Sequence, residues 1–204
     1  MAALPRLVLA SGNAGKLREM RALLSGFGME VVPQSEFSIP AAEETGTSFT
    51  ENALIKARHA ARHSGLPALA DDSGIEVDVL GGRPGIRSAR YAGEEASDEQ
   101  NLQMLLREVA RTGARQPAAR YQCAIALVRD AGDPSPLLAH GTWEGVITSE
   151  PRGRNGFGYD PIFYLPERGC TAAELDPDIK NRISHRGQAL DALRRQLSVP
   201  DWIA

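Results

Sequence analysis

The stretch Leu69-Ala70-Asp71-Asp72-Ser73-Gly74 ends an apolar run with two adjacent carboxylates, a hydroxyl and a glycine. Like charges held close repel, and desolvation adds to the penalty. A divalent cation relieves both, and hard cations such as magnesium take oxygen ligands and usually arrive with phosphates. The plainer reading of the same residues is a solvated Asp-Asp-Ser-Gly turn between two strands.

Four further groups bear on that choice. Ser11-Gly12-Asn13-Ala14-Gly15-Lys16 lies between an apolar strand and a helical pattern. Free amides at a helix N-terminus, the helix dipole and a lysine together make an anion site. The spacing is neither that of a P-loop nor Gly-x-Gly-x-x-Gly, so an ordinary strand-to-helix turn is the alternative. Glu43-Glu44 precedes a helix on which Asn52 and Lys56, four apart, share a face. The Glu43-Glu44 pair offers the cation another carboxylate and Lys56 offers a phosphate contact, although such groups are more often solvated. Gly156-Phe157-Gly158-Tyr159-Asp160-Pro161 sets two aromatics among glycines. These either stack on a base that the backbone approaches closely or cap the core. Lys180 and Ser184-His185-Arg186-Gly187 supply donors suited to the acceptors of a purine edge, unless the histidine is structural. Together the groups form the kit for hydrolysing a nucleotide with bound magnesium.

The elements that must hold these residues follow from periodicity and caps. Residues 6–10 read as a first strand, and Leu17, Met20, Leu23 and Leu24 as a helix from about Gly15 to Leu24, stopped by Gly26 and Gly28. A strand is expected at Glu30-Val31-Val32 and a loop over 33–47. Ser48-x-x-Glu51 and Ser97-x-x-Gln100 are capping-box patterns. The first opens a helix to about His63, ended by Gly65 and Pro67, and the second a helix through Leu102, Leu105, Leu106 and Val109. Strands at 68–71 and 75–79 flank the acidic turn, and Tyr121–Val128 and Ala139–Ile147 form a long antiparallel pair across 130–134. A short strand at Pro161–Tyr164, a short helix near 171–175 and a last helix from about Gln188 to Leu197 complete the chain. The order implies an α/β fold with a mixed sheet, and two lobes with a cleft between them are expected to share it.

Composition narrows the class. The chain has 204 residues, 42% hydrophobic and 24% charged, which suits a single globular domain with an ample core. A net charge of -3 argues against a broad nucleic-acid-binding surface. Cys123 and Cys170 have no metal-ligand spacing and are expected as free thiols. The apolar run Leu7–Ala10 is far too short for a signal segment or a membrane span, so a cytoplasmic protein with no membrane partner is expected.

Ser11-Gly12-Asn13 with Lys16 and Glu19, Glu44-Thr45-Gly46, Asp71-Asp72-Ser73-Gly74, Gly85-Ile86 with Ser88-Ala89-Arg90-Tyr91, Gly156 to Pro161 and Ser184 to Gly187 occur in order along nearly the whole chain. In this the chain resembles the inosine triphosphate pyrophosphatase family, and more closely its bacterial branch, which acts on dITP, XTP and ITP. The resemblance implies an elongated mixed β-sheet flanked by helices, two lobes around a central nucleotide cleft, a homodimer, and magnesium-dependent hydrolysis of a nucleoside triphosphate to the monophosphate and pyrophosphate. It implies Asp72 as proton acceptor and metal ligand, with Glu44 as a further metal contact. Ser11, Gly12, Asn13, Ala14, Gly15, Lys16, Lys56 and Ser73 would hold the triphosphate or its metal. Phe157, Gly158, Tyr159, Asp160, Lys180, His185 and Arg186 would hold the base and nearby groups. The competing expectations are a pyrophosphatase of modified pyrimidine nucleotides and a nucleotide-binding module without turnover.

Overall fold

The computed structural model describes residues 5–24 and 28–197. The strands are β1 (Arg6–Leu9), β2 (Glu30–Pro33), β3 (Ala68–Val77), β4 (Ala118–Val128), β5 (Leu137–Ile147), β6 (Phe163–Leu165) and β7 (Cys170–Thr171). The helices are α1 (Ala14–Leu24), α2 (Phe49–Ser64), α3 (Asp98–Thr112), α4 (Pro177–Ile183) and α5 (His185–Leu197). The strands form one seven-stranded sheet in the order β2-β1-β3-β4-β5-β6-β7. β1 runs parallel to β2 and β3, whereas β5/β6 and β6/β7 are antiparallel, so the sheet is mixed as expected.

The chain divides into two compact units. The first comprises Met1–Asp72, Cys123–Gly141 and Arg186–Ala204. Alternation along its strands sends side chains to opposite faces. Leu7, Leu9 and Leu69 pack with Met20 and Leu24 of α1 and Leu190 and Leu193 of α5. Val8, Ala68 and Ala70 pack with Ala53, Ala57, Ala60 and Ala61 of α2. These alanines fall at helical spacing, and their small size lets α2 lie close to the strands. α1 and α2 therefore cover opposite faces of the sheet in this unit.

The second unit comprises Ser73–Gln122 and Thr142–His185. Its core joins Ile75 and Val77 of β3, Leu102, Leu105 and Val109 of α3, Tyr121, Trp143, Ile147 and Phe163. Ser97 caps α3 in a full capping box with Gln100.

Several boundaries differ from expectation. The acidic tetrapeptide is not a turn: β3 runs unbroken from Ala68 to Val77, and the chain turns only at Asp78–Leu80. Gly74 is there for close approach, since a Cβ on it would lie 2.4 Å from both Gly85 O and Ser88 Oγ. The loop over 33–47 contains one 3-10 turn at Gln34–Phe37, and the short helix near 171–175 is a 3-10 turn at Ala172–Glu174. Helix α4 was not anticipated; Asp176 caps it and Pro177 occupies its first turn, a start signal present in the sequence. Gly26, one of the glycines expected to stop α1, lies outside the described residues.

Candidate active site

In the first unit, the loop after β1 leads into α1. Asn13 caps that helix: its Oδ1 accepts from Lys16 N at 3.0 Å, and Ser11 Oγ accepts from Asn13 N at 3.3 Å. Gly12 is exposed, and a Cβ on it would meet nothing within 4 Å. Neither internal packing nor a positive φ requires glycine there. Lys16 lies one turn into α1 and its Nζ is 3.1 Å from Asp71 Oδ2.

The two adjacent aspartates part company at this point. Asp71 shares a strand face with Leu69, the α1 side, and Asp72 shares one with Ala70, the α2 side. Asp71 is completely buried against Lys16 and, at 3.5 Å, Arg186 Nε. Burial works to raise its pKa, but Lys16, Arg186 and Lys56 outweigh that and hold it well below the usual carboxylate range. Arg186, only 2% exposed, also donates to Glu19. Asp72 faces Lys56 Nζ at 2.7 Å and accepts from Asn52 Nδ2 at 3.3 Å. Lys56 Nζ lies 3.0 Å from Glu44 Oε1 as well, so one ammonium bridges two carboxylates. Burial pushes the Asp72 pKa up, more than the neighbouring lysines pull it down. Burial works to lower the pKa of Lys56, but Asp72, Asp71 and Glu44 together raise it. Crowding of two carboxylates at one point, the expectation that first singled out this stretch, is therefore met by Glu44 and Asp72 and not by Asp71.

In the second unit, Asp160 is the hub. It is 2% exposed, and its Oδ2 accepts from Lys180 Nζ at 2.7 Å and from Phe157 N at 2.8 Å. Its Oδ1 accepts from the Tyr121 hydroxyl at 3.3 Å. Gly156 has a φ of +78°, and a Cβ on it would lie 2.1 Å from Asp160 Oδ2, so only glycine lets the loop close over the carboxylate. Lys180 Nζ sits 5.1 Å from the centre of the Phe157 ring, a cation–π contact. Phe157 is half-buried, whereas Tyr159 lies in the core with its hydroxyl donating to Ser88 O at 2.7 Å. Of the two aromatics expected to stack on a base, Tyr159 is buried and Phe157 keeps partial exposure. Gly158 N donates to Asp98 Oδ2 at 2.9 Å. His185 is buried, its ring 8° from parallel to Tyr121 with centroids 4.6 Å apart, and Trp143 stacks at 6.4 Å. Ser73 opens this unit as a half-buried residue of β3.

The expected residues thus fall into two sets. Ser11 to Lys16, Glu44, Lys56, Asp72 and Arg186 belong to the first unit, and Ser73, Phe157 to Asp160, Lys180 and His185 to the second. His185 and Arg186, expected side by side at a base, fall in different units, and the guanidinium is engaged by Glu19 and Asp71. Asn52 and Glu19 join the first set, and Tyr121 and Trp143 the second, without having been assigned a role. Asn52 left a signal in its position one turn from Lys56, and Glu19 in its place beside Lys16 among the family-like motifs.

A model of the Ham1 family matches residues 7–196 of the chain. The protein belongs to the Ham1 family. Among curated members, a dITP/XTP pyrophosphatase from Methylococcus capsulatus is 59% identical over 192 residues, covering 94% of this chain and 96% of its own. The dITP/XTP pyrophosphatase of Vibrio parahaemolyticus is 57% identical over 193 residues, covering 95% and 96%. Among solved Ham1 structures, a protein from Coxiella burnetii superposes with a TM-score of 0.88 at 53% identity, over 96% of this chain and 99% of its own. The Staphylococcus aureus Ham1 protein gives a TM-score of 0.82 at 40% identity, over 95% and 98%. The mixed sheet flanked by helices is thus the Ham1 fold. Among the described residues no helix is long and apolar enough to cross a membrane.

Proposed function

We propose that the chain hydrolyses deaminated purine nucleoside triphosphates, dITP, ITP and XTP, to the monophosphate and pyrophosphate. The names of its relatives support the reaction and the substrate class. The observation that carries the chemistry is the Lys56 ammonium held between Glu44 and Asp72 at 3.0 and 2.7 Å. Two hard oxygen donors converging on one positive charge fit magnesium. Among the described residues no group of three or more His, Cys, Asp or Glu could hold a metal. Magnesium takes one or two carboxylates and completes its shell with water and phosphate. Glu44 and Asp72 would hold Mg²⁺, which when bound neutralises charge on phosphate oxygens and so admits a nucleophile.

The protein groups divide the remaining work. Lys16, the free amides at the start of α1, and Ser11 and Asn13 hold the phosphates; the bare backbone at Gly12 lets them come close. Lys56 adds a second ammonium on the α2 face, and Ser73 a hydroxyl next to Asp72. Asp72 accepts the proton of the attacking water, and burial moves its pKa toward the range in which a carboxylate works as a base. Phe157 stacks on the base, and Gly158 and Tyr159 shape the loop that presents it. Both oxygens of Asp160 already accept from protein donors, so His185 and Lys180 present donors to the purine. Donors suit the 6-oxygen of hypoxanthine and xanthine and leave unpaired groups against the 6-amine of adenine. Arg186 serves this site through Asp71 and Glu19, which it holds in place. A cytoplasmic homodimer completes the proposal.

The test is pyrophosphate release from ITP, dITP, XTP, GTP, dTTP and UTP, with and without Mg²⁺. Turnover of the first three that requires Mg²⁺ is expected. A preference for pyrimidine nucleotides overturns the substrate class, and binding without turnover overturns the enzyme.

A further inference from the structure

Asn52 is fully buried, with both ends of its side chain in use inside the first unit. Its Nδ2 donates to Asp72 Oδ2 at 3.3 Å and its Oδ1 accepts from Gly46 N at 2.9 Å. Gly46 lies two residues after Glu44, so the amide links the loop that carries one carboxylate to the strand that carries the other. A carboxylate demands a donor and a backbone N–H demands an acceptor, and the amide offers both from separate atoms, so it can span the two. The contact is also tight on the loop side. A Cβ on Gly46 would lie 2.6 Å from Asn52 Oδ1 and 2.7 Å from Glu51 Cβ.

A second tie joins the same loop and strand one helical turn further along α2, where Lys56 touches both Glu44 and Asp72. That tie is one of charge, and a bound cation competes with it. The tie through Asn52 is made by a neutral amide, so it carries no positive charge for a cation to displace. We propose that Asn52 is a positioning residue for the divalent cation: it fixes the Glu44 loop relative to Asp72, so that both carboxylates stay aimed at one point. The inference rests on the metal site proposed above. Hydrogen-bonding partners of metal ligands commonly change metal affinity by about 10–100-fold when removed.

The experiment measures Mn²⁺ binding, in place of Mg²⁺, by electron paramagnetic resonance of the free ion. The protein is held with an inosine triphosphate analogue whose α and β phosphorus atoms are bridged by methylene. Asn52→Ala removes the link, and Gly46→Ala pushes on Asn52 from the loop without altering it. Both are expected to weaken Mn²⁺ binding at 25 °C by about 10–100-fold. Asp72→Asn is the reference and should weaken it too. Thermal melting of the same samples shows that the protein is folded, and if Asn52→Ala fails that test Gly46→Ala decides. Mn²⁺ affinity within about twofold of wild type in the folded variants, with Asp72→Asn weakened, overturns the role of Asn52 alone and leaves it a merely structural amide. Unchanged affinity in Asp72→Asn as well overturns the metal site itself.

Discussion

Replacing Asp71 with Asn removes a negative charge from a site of zero side-chain exposure while two cations, Lys16 at 3.1 Å and Arg186 at 3.5 Å, stay beside it. Removing one partner of a buried ion pair costs about 3–5 kcal/mol, because the other charge is left uncompensated. For a chain of this size each kcal/mol lowers Tm by roughly 2–4 °C, so Asp71→Asn should melt about 6–20 °C below wild type. Asp72→Asn is a different perturbation. Lys56 keeps Glu44 at 3.0 Å, and burial already disfavours the charged form of Asp72. Its melting should therefore stay close to wild type, while pyrophosphate release from ITP falls by about 10²–10⁴-fold, the range for loss of a general base. The two variants are compared by thermal melting and by initial rates at 25 °C under saturating Mg²⁺. Acid titration adds a check on sign. The folded-state pKa of Asp71 is depressed, so its contribution to stability is present above the unfolded value of about 3.9 and is lost as pH falls through the folded value. Wild-type Tm should drop below about pH 4, and Asp71→Asn should show a shallower drop. The reasoning fails if Asp72→Asn melts lower than Asp71→Asn, or if Asp71→Asn melts within about 2 °C of wild type.

Gly12→Ala should leave melting unchanged, since the added methyl meets nothing within 4 Å. It should raise KM for ITP about tenfold, equivalent to about 1.4 kcal/mol of lost phosphate contact; an unchanged KM would remove the loop from the site. Gly74→Ala forces a methyl to 2.4 Å from Gly85 O and Ser88 Oγ and should destabilise by about 1–3 kcal/mol or more, read by denaturant unfolding. Tyr121→Phe keeps the stack on His185 but deletes the hydroxyl bonded to Asp160, a loss of about 1 kcal/mol. It should narrow the ratio of kcat/KM for ITP over GTP several-fold, whereas Tyr121→Leu, which also removes the stack, should narrow it further. Equal ratios in all three proteins would show that Tyr121 has no part in reading the base.

What the sequence disclosed followed the reach of local chemistry. Helices α2 and α3 carry Ser caps and regular apolar spacing, and both begin where those signals put them. The acidic stretch misled for the same reason: Asp, Ser and Gly are turn residues by composition, yet here Gly74 answers a clash with Gly85 and Ser88 that only the folded chain creates. Residue type and spacing marked Glu43-Glu44, Lys56 and Asp71-Asp72, since charged groups announce their chemistry, but only the family resemblance singled out Glu44 and Asp72. The roles of Tyr121, Trp143 and Glu19 were not legible. An aromatic in a strand reads as core, and a glutamate on a helix reads as surface, until tertiary pairing brings a buried carboxylate, an imidazole or a guanidinium to each. His185 and Arg186 show the limit from the other side, because adjacency in sequence suggested a shared task that their partners divide.

The separation of Asp71 from Asp72 rests on nothing more than parity. In β3 the odd positions carry Leu69 and Asp71 to the α1 face and the even positions carry Ala70 and Asp72 to the α2 face, and Leu9 pairs with Leu69 to hold that count. A single residue inserted between Pro67 and Ala70 would slide the alternation by one and exchange the lysine each carboxylate meets, with composition almost untouched. The identity of the aspartate that meets Lys56 is thus encoded less in the residue than in the register of the strand, and a frame of one is enough to erase it.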